Sequence, residues 1–211
     1  MCDLKRVIRL FIIGFALYLM NRRVDDRNIL EKFAQDFCDV IDKYCKYIVV
    51  SGFVAIASGR TRATEDIDMI IEKISKETFE KLHTELMNKG FECVQSSNPD
   101  DIYEYLEKGD GIRYVWAGRN YFPPEMEIHF VKDEIDELQL ATRQKLEFVD
   151  VDIWFSSIDM NIAFKEELLK DDKDIKDAKH LRLIYKDKIS EENINNIKAM
   201  IIRLRLKENE R

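Results

Sequence analysis

The segment between residues 47 and 71 constrains the fold more than any other part of the chain. Tyr47–Val50 is rich in β-branched residues, Ser51-Gly52 interrupts this run, and Phe53–Ala57 is apolar but too rich in alanine for a typical strand. Residues 66–71 then alternate acidic and apolar side chains before ending in a Met-Ile-Ile run, as a half-buried strand does. The segment therefore predicts a strand, a tight turn, a buried helix and a second strand in close succession.

Asp66 and Asp68 carry the clearest chemistry in this segment. Successive side chains on a strand point to opposite faces, so the two carboxylates share one face, with Cα atoms about 6.6 Å apart. Two anions beside an apolar core repel each other and lose solvation, so they need a cation or a hydrogen-bond donor. Mg²⁺ or Mn²⁺ suits such an all-oxygen site. The alternative is the solvent-exposed face of an ordinary amphipathic strand.

The turn before the acidic strand offers groups that bind phosphate. A helix that begins after Ser51-Gly52 presents free backbone N–H groups, which attract anions. Arg60 and Arg62 follow this helix and precede the acidic strand. Phosphate donors and metal ligands thus lie within one turn–helix–strand unit.

A third carboxylate is needed to hold two metal ions, and Glu127 is the best candidate. Apolar residues at positions 126, 128 and 130 alternate with Glu127 and His129, which predicts a strand whose polar face carries Glu127. Glu125 follows two prolines and is expected where this strand begins. The alternative for Glu127 is an ordinary exposed strand residue. For His129 the alternative is a hydrogen-bonded residue without a role in function.

These motifs resemble those of the nucleotidyltransferase superfamily, which combines a glycine-rich turn with Asp-x-Asp and a later third acid. Ser51-Gly52 matches the glycine pair, although Ser51 stands where the family usually has glycine, and Asp66 and Asp68 match the metal pair. The run from Arg62 to Asp68 is similar to the Arg-x-Thr-x-Asp-Ile-Asp motif of the AbiEii-like branch. The resemblance adds Arg62 and Thr64 to Ser51 and Gly52 as nucleotide-binding residues.

The resemblance implies transfer of a nucleoside monophosphate from a nucleoside triphosphate, such as ATP, to an acceptor hydroxyl. Asp66, Asp68 and Glu127 would be the catalytic and metal-binding residues, with Mg²⁺ (or Mn²⁺) as cofactor. One metal ion would lower the pKa of the hydroxyl, and a second would neutralise the triphosphate and the leaving pyrophosphate. RNA, a protein and a small molecule all remain open as acceptor. The alternative function is a non-catalytic module that binds a nucleotide or a protein partner, as a toxin–antitoxin component would.

The chain beyond residue 156 has a helical pattern, which predicts three packed helices at 158–170, 172–185 and 191–206. A second, looser resemblance to AbiEii-like proteins lies here, in Lys165 followed by the Lys-Asp-x-x-Asp pattern that contains Asp174 and Asp177. It implies that the Lys165 ammonium reaches the triphosphate as a point charge. The two aspartates would orient Lys165 or cap the helices. The alternative is a solvent-exposed, charged helix face.

The complete pattern predicts an α/β (α+β) protein in which a mixed sheet with flanking helices, residues 21–156, precedes a helical subdomain, residues 157–211. Within the core we expect helices at 26–44, 75–88 and 133–144, strands at 91–94 and 112–116, a loop or short helix at 96–108, and a strand pair or long strand at 145–155. Residues 1–20 form an N-terminal extension whose apolar run is too short to cross a bilayer. This extension is either a docking helix or lies upstream of a native start at Met20.

Composition limits the remaining classes of protein. The net charge of −7 argues against a generally basic nucleic-acid-binding surface, and 45% hydrophobic residues is ordinary for a folded protein. The four cysteines show no Cys-x-x-Cys spacing, so reduced thiols are expected rather than a zinc site or a disulfide framework. No P-loop motif is present. These features favour a cytoplasmic protein without a membrane span.

Overall fold

The protein is represented by a computed structural model that describes residues 29–61, 64, 66–118, 124–147 and 149–209. These residues form a five-stranded mixed sheet in the order β1–β2–β5–β4–β3. β2 and β5 are parallel, and the other neighbouring strands are antiparallel. The strands are β1 (Tyr47–Val50), β2 (Asp66–Ile71), β3 (Phe91–Cys93), β4 (Ile112–Trp116) and β5 (Glu125–Phe130). The predicted mixed sheet is confirmed.

Helices flank this sheet, as predicted, and also make up the C-terminal part of the chain. The helices are α1 (29–41), α2 (Gly52–Ala57), α3 (Lys76–Asn88), α4 (Pro99–Glu107), α5 (Glu134–Ala141), α6 (Ile158–Phe164), α7 (Asp172–Ile184) and α8 (Glu191–Asn209). The predicted N-terminal extension, the start at Met20 and the first residues of the predicted helix 26–44 lie outside the described residues. Within the described ranges, none of the helices is long and apolar enough to cross a membrane.

The two faces of the sheet differ sharply in burial. On one face, the alternate apolar residues of β2 and β5 are almost completely buried. Helix side chains pack edge-on against this face: Phe33 of α1 lies 5.0 Å from Trp116, and Tyr103 of α4 lies 5.8 Å from Phe130, between ring centroids. Each large apolar side chain buried in this way contributes about 1.5–3 kcal/mol. The opposite face of β2 and β5 is half-exposed and carries their polar residues.

Local signals in the sequence fix the ends of the helices. Ser75 accepts a hydrogen bond from the backbone N–H of Thr78 at the start of α3, and Gly90, with φ of 86°, follows its end. This helix begins and ends as predicted. The polar segment 96–108 contains the short helix α4, which begins where Asn98 accepts from the N–H of Asp100 and Pro99 occupies the first helical turn.

The predicted strand pair or long strand at 145–155 is wrong. In the described part of this segment, burial alternates at Val151, Ile153 and Phe155, but the backbone makes only isolated bridges, in which Phe155 pairs with Val49 and with Gln144. Alternating burial shows an extended chain, whereas a strand also needs a continuous hydrogen-bonded neighbour. The segment instead covers the outer edge of β1: the Val49 N–H donates to Trp154 O, and the Ser156 N–H donates to Val49 O.

The C-terminal part contains the three predicted helices, with one difference. The first of them continues beyond α6 as a π-helical turn, Lys165–Leu169, which ends at Lys170 in a left-handed conformation. The buried isoleucines of α8, such as Ile194, belong to the same apolar cluster as Phe53 of α2, so one core runs through both parts of the chain. The division of the chain at residue 156 stays a prediction.

His83 of α3 should make the stability of the folded protein depend on pH. It is 3% exposed; its Nδ1 lies 2.7 Å from the Tyr114 hydroxyl, and its Nε2 lies 3.4 Å from the Ser97 carbonyl oxygen. Burial lowers the pKa of His83 in the folded protein, so the unfolded chain binds more protons as the pH falls below about 6.5. Stability should therefore decrease from pH 7 towards pH 5, by up to about 1.4 kcal/mol per pH unit. In urea unfolding, the free energy of unfolding of His83→Gln should decrease less between pH 7 and pH 5 than that of the wild type. Equal decreases in the two proteins would contradict a lowered pKa for His83.

Candidate active site

Four carboxylates lie on the half-exposed face of the sheet. β2 and β5 are parallel neighbours in which Asp66 lies opposite Glu125, and Asp68 lies opposite Glu127. Because side chains alternate along both strands, all four point to the same face, and adjacent strands are only about 4.8 Å apart. The structure thus places on one face the three carboxylates that the sequence predicted as metal ligands, with Glu125 on the same face.

Asp68 is a partly buried member of the predicted metal ligands. Burial raises the pKa of Asp68; a hydrogen bond from the Ser51 side chain lowers it, and the negative charges of Glu127 and Asp66 raise it further. The carboxylate is therefore under electrostatic stress, because its surroundings disfavour the charged form. A divalent cation on this face would relieve that stress.

Ser51 occupies the turn between β1 and α2, where it reaches Asp68. Its backbone has φ of 64° and ψ of −131°, a conformation that glycine adopts much more readily than serine. Such a conformation costs on the order of 1–3 kcal/mol and is found mostly where the surrounding structure imposes it. Serine therefore keeps a glycine-type turn and adds a hydroxyl that contacts Asp68. Gly52 begins α2, all of whose residues are buried.

The remaining predicted nucleotide-binding residues before β2 are only partly described. The Thr64 hydroxyl donates to the backbone oxygen of Asp66, at 3.1 Å, so its described contact is with the start of β2. Arg62 lies outside the described residues. Arg60, which the sequence grouped with Arg62 as a phosphate donor, forms an ion pair with Asp177 of α7 instead.

Glu127 is held at both of its carboxylate oxygens. Arg113 of β4, which lies directly opposite Glu127, places its Nε 3.3 Å from Oε2, and the Nε2–H of His129 donates to Oε1 at 3.0 Å. The carboxylate lies against Gly111, where an added Cβ would come within 2.5 Å of Oε1. Sequence reasoning missed Arg113 and Gly111, because their contact with Glu127 depends on the register of β4 and β5. His129 is hydrogen-bonded to Glu127, and both alternatives predicted for it stay predictions.

The donor chemistry of this face suits a hard divalent cation, but the ligands do not converge on one point. Asp66, Asp68 and Glu127 supply only oxygen atoms, as Mg²⁺ and Mn²⁺ prefer. Among the described residues, no three His, Cys, Asp or Glu side chains are close enough together to hold a metal ion. The predicted Mg²⁺ or Mn²⁺ site stays a prediction.

Lys165 is 1% exposed, and it is not part of a solvated helix face. Its ammonium lies 3.2 Å from Asp174 Oδ1 and 3.2 Å from Asp177 Oδ2, and Asp177 also pairs with Arg60. These contacts agree with the prediction that the two aspartates orient Lys165. The described contacts of its ammonium are carboxylates, so contact with a triphosphate stays a prediction. Through Arg60, the network also connects the segment after α2 to the helical part of the chain.

Comparison with known proteins supports the fold. No protein-family model and no curated protein sequence matches the chain. The solution structure of the antibiotic-resistance factor ANT(2'')-Ia is similar to it with a TM-score of 0.51 and 15% identity, over 85% of this chain and 94% of that chain. A nucleotidyltransferase-like antigenic protein from Paracoccidioides brasiliensis has a TM-score of 0.48 and 15% identity, over 88% and 90% of the two chains. The likeness to ANT(2'')-Ia shows that the two proteins share this mixed α/β fold; membership of the nucleotidyltransferase superfamily and of its AbiEii-like branch stays a prediction.

Proposed function

We propose that this protein transfers a nucleoside monophosphate from a nucleoside triphosphate to an acceptor hydroxyl, with Mg²⁺ or Mn²⁺ as cofactor. The observation that carries the proposal is the parallel register of β2 and β5, which puts Asp66, Asp68 and Glu127 on one half-exposed face of a fold shared with ANT(2'')-Ia. The raised pKa of Asp68 supports it, because a cation would stabilise the charged form of this carboxylate.

Each residue of the site has a proposed task. Asp66 and Asp68 would hold the metal ions with Glu127 as third ligand, and the bound ions would supply charge neutralisation at the phosphates and activation of the hydroxyl. The Ser51-Gly52 turn would contact the triphosphate, and the Ser51 hydroxyl would keep Asp68 in place. Arg62, Thr64 and Lys165 complete the proposed nucleotide-binding set. The remaining catalytic contribution is positioning, as is usual in phosphoryl-type transfer.

The second candidate is a non-catalytic module of the same fold that binds a nucleotide or a protein, such as a toxin–antitoxin component. One observation favours it: Glu127 is engaged by Arg113 and His129 and does not converge with the other carboxylates. The two functions differ in whether label is transferred from a triphosphate. Each α-³²P-labelled triphosphate should be incubated with the protein, Mg²⁺ and total cell RNA, total cell protein or a small-molecule extract. Label in one acceptor fraction supports the enzyme and identifies its acceptor class.

Metal-dependent nucleotide binding provides the direct test of the carboxylates. Asp66→Asn combined with Asp68→Asn should abolish the Mg²⁺-dependent part of triphosphate binding measured by calorimetry, because both proposed first ligands become neutral. Asp152→Asn removes a carboxylate that is 86% exposed and serves as the matched control, with no expected change. Equal affinity in the double variant and the wild type would refute the assignment of the site.

A further inference from the structure

Arg60 connects a buried cluster of charges to the surface of the protein. Its Nε forms an ion pair with Asp177 Oδ1, and the other oxygen of Asp177 lies 3.2 Å from the Lys165 ammonium. The side chains of Asp177 and Lys165 are 0% and 1% exposed, whereas that of Arg60 is 22% exposed. Among these three residues, Arg60 is therefore the one that reaches solvent.

The terminal nitrogens of the Arg60 guanidinium are open to a ligand. Nε is buried, and within the described part of the chain Asp177 is the ion-pair partner of Arg60 while Nη1 and Nη2 make no hydrogen bond. A guanidinium carries its donors in a planar fork that matches two oxygens of a phosphate or carboxylate. With its Nε turned inwards to Asp177, Arg60 presents the outer edge of this fork to solvent. The geometry suits an oxyanion.

The backbone of Arg60 is held at the end of α2. Gly59 has φ of 94°, and the N–H of Arg60 donates to Ala55 O at 3.0 Å, as in a Schellman motif. Helix α7 contacts the same turn, because His180 Nε2–H donates to Ser58 O at 3.0 Å. The backbone and the guanidinium of Arg60 are thus both fixed by contacts with α2 and α7.

Arg60 lies one short helix away from the Ser51-Gly52 turn. α2 has six residues, so it is about 9 Å long, and Arg60 follows its C-terminal end. We propose that Arg60 binds a phosphate group of the nucleotide through Nη1 and Nη2, with Asp177 and Lys165 as positioning residues. The inference rests on the proposed function for the identity of the anion. The contact requires neither a bound metal ion nor a movement of Arg60.

Lys165 has an indirect task in this arrangement. Its buried ammonium lies between Asp174 and Asp177, so two cations and two anions balance in the cluster that includes Arg60. Without the charge of Lys165, the cluster would be negative and would repel a phosphate near Arg60. Lys165 therefore supports phosphate binding by neutralising Asp177, while Asp177 holds Nε of Arg60.

Calorimetric titration with inorganic triphosphate in the presence of EDTA tests the inference without metal and without an assay of activity. Arg60→Gln should weaken binding by about tenfold, because it removes charged donors from the anion. Arg60→Lys should lose most of the same affinity, since one ammonium cannot contact Asp177 and a phosphate as a planar fork does. Wild-type affinity in Arg60→Gln would overturn the inference.

Asp177→Asn separates positioning from simple charge. Removal of a negative charge near an anion site should strengthen binding by electrostatics alone, whereas loss of the group that holds Arg60 should weaken it severalfold. Asp174→Asn removes a charge from the same cluster but no contact of Arg60, so it should not weaken binding. Arg203→Gln removes an exposed arginine paired with Glu134 and should leave the affinity unchanged.

The remaining outcomes distinguish this inference from the proposed function. Tighter binding by Asp177→Asn would refute the positioning role; if that variant does not fold, wild-type affinity in Arg60→Lys refutes it instead. A wild type that binds triphosphate only with Mg²⁺ would overturn the Arg60 site, and label transfer then decides the proposed function separately. Binding in EDTA that depends on Arg60, without label transfer under any condition, would support the phosphate contact and refute the proposed reaction.

Discussion

Lys165→Met is expected to lower the free energy of unfolding by about 3–5 kcal/mol, the usual cost of removing one partner from a buried ion pair. The ammonium lies between Asp174 and Asp177, whose side chains are 6% and 0% exposed, so its loss leaves buried negative charge facing an apolar group. Methionine preserves most of the side-chain volume, so the change reports the charge rather than a cavity. Urea unfolding at pH 7.5 measures the effect.

A lysine in the same region supplies the control for this variant. Lys170 pairs with Glu167 and is 51% exposed, so Lys170→Met should change stability by no more than about 1 kcal/mol. Adding Asp174→Asn to Lys165→Met should recover part of the loss, because it removes the buried charge of Asp174, while Asp177 keeps its ion pair with Arg60. A loss below about 1 kcal/mol for Lys165→Met would show that the network does not need its ammonium.

Asp68→Asn is expected to separate activity from stability. If the protein is a nucleotidyltransferase, turnover should fall by about a hundredfold or more, as for the removal of a preorganised charge at a reacting centre. The melting temperature at pH 7.5 should rise by a few degrees. Burial raises the pKa of Asp68 above its unfolded value, so the charged carboxylate opposes folding at neutral pH. This cost disappears as the pH falls through the folded pKa towards the unfolded value of about 3.9.

The pH dependence distinguishes this explanation from a general effect of charge. The advantage of Asp68→Asn over the wild type in thermal unfolding should shrink as the pH is lowered from 7.5 towards 4. The exposed substitution Asp152→Asn should show no comparable gain at neutral pH. A constant advantage at all pH values would mean that the asparagine stabilises by packing, and that the carboxylate is not under electrostatic stress in the folded protein.

Much of the sheet and part of the candidate site follow from local sequence pattern. Alternation in β2 and β5 predicted both strands and placed Asp66, Asp68 and Glu127 on polar faces, because parity along a strand decides which face a side chain occupies. Local pattern does not say which strands become neighbours. The pairing of β2 with β5, and the register that sets Asp68 beside Glu127 and Arg113 beside Glu127, are long-range properties of the sheet.

The features that the sequence did not predict also depend on long-range contacts. Alternation at 151–155 correctly reports buried and exposed positions, but it cannot show that most of the segment lacks a strand partner. A run of charged residues around Lys165 has the composition of a solvated helix face, yet the fold buries three of its members. Their burial depends on how α7 and the π-helical turn pack together, which local periodicity does not encode. The positive φ of Ser51 was likewise hidden, because serine seldom adopts it.

The segment that covers β1 has a consequence for how the chain can be divided. β1 is a run of apolar, β-branched and aromatic residues at the border of the sheet, and its outer backbone groups at Val49 bond to Trp154 and Ser156, about a hundred positions later. Contacts of such sequence separation form late, after most of the chain has been synthesised. A fragment that stops before Trp154 would leave this edge open to pairing with other chains. Recombinant core fragments must therefore extend through Ser156 to avoid self-association.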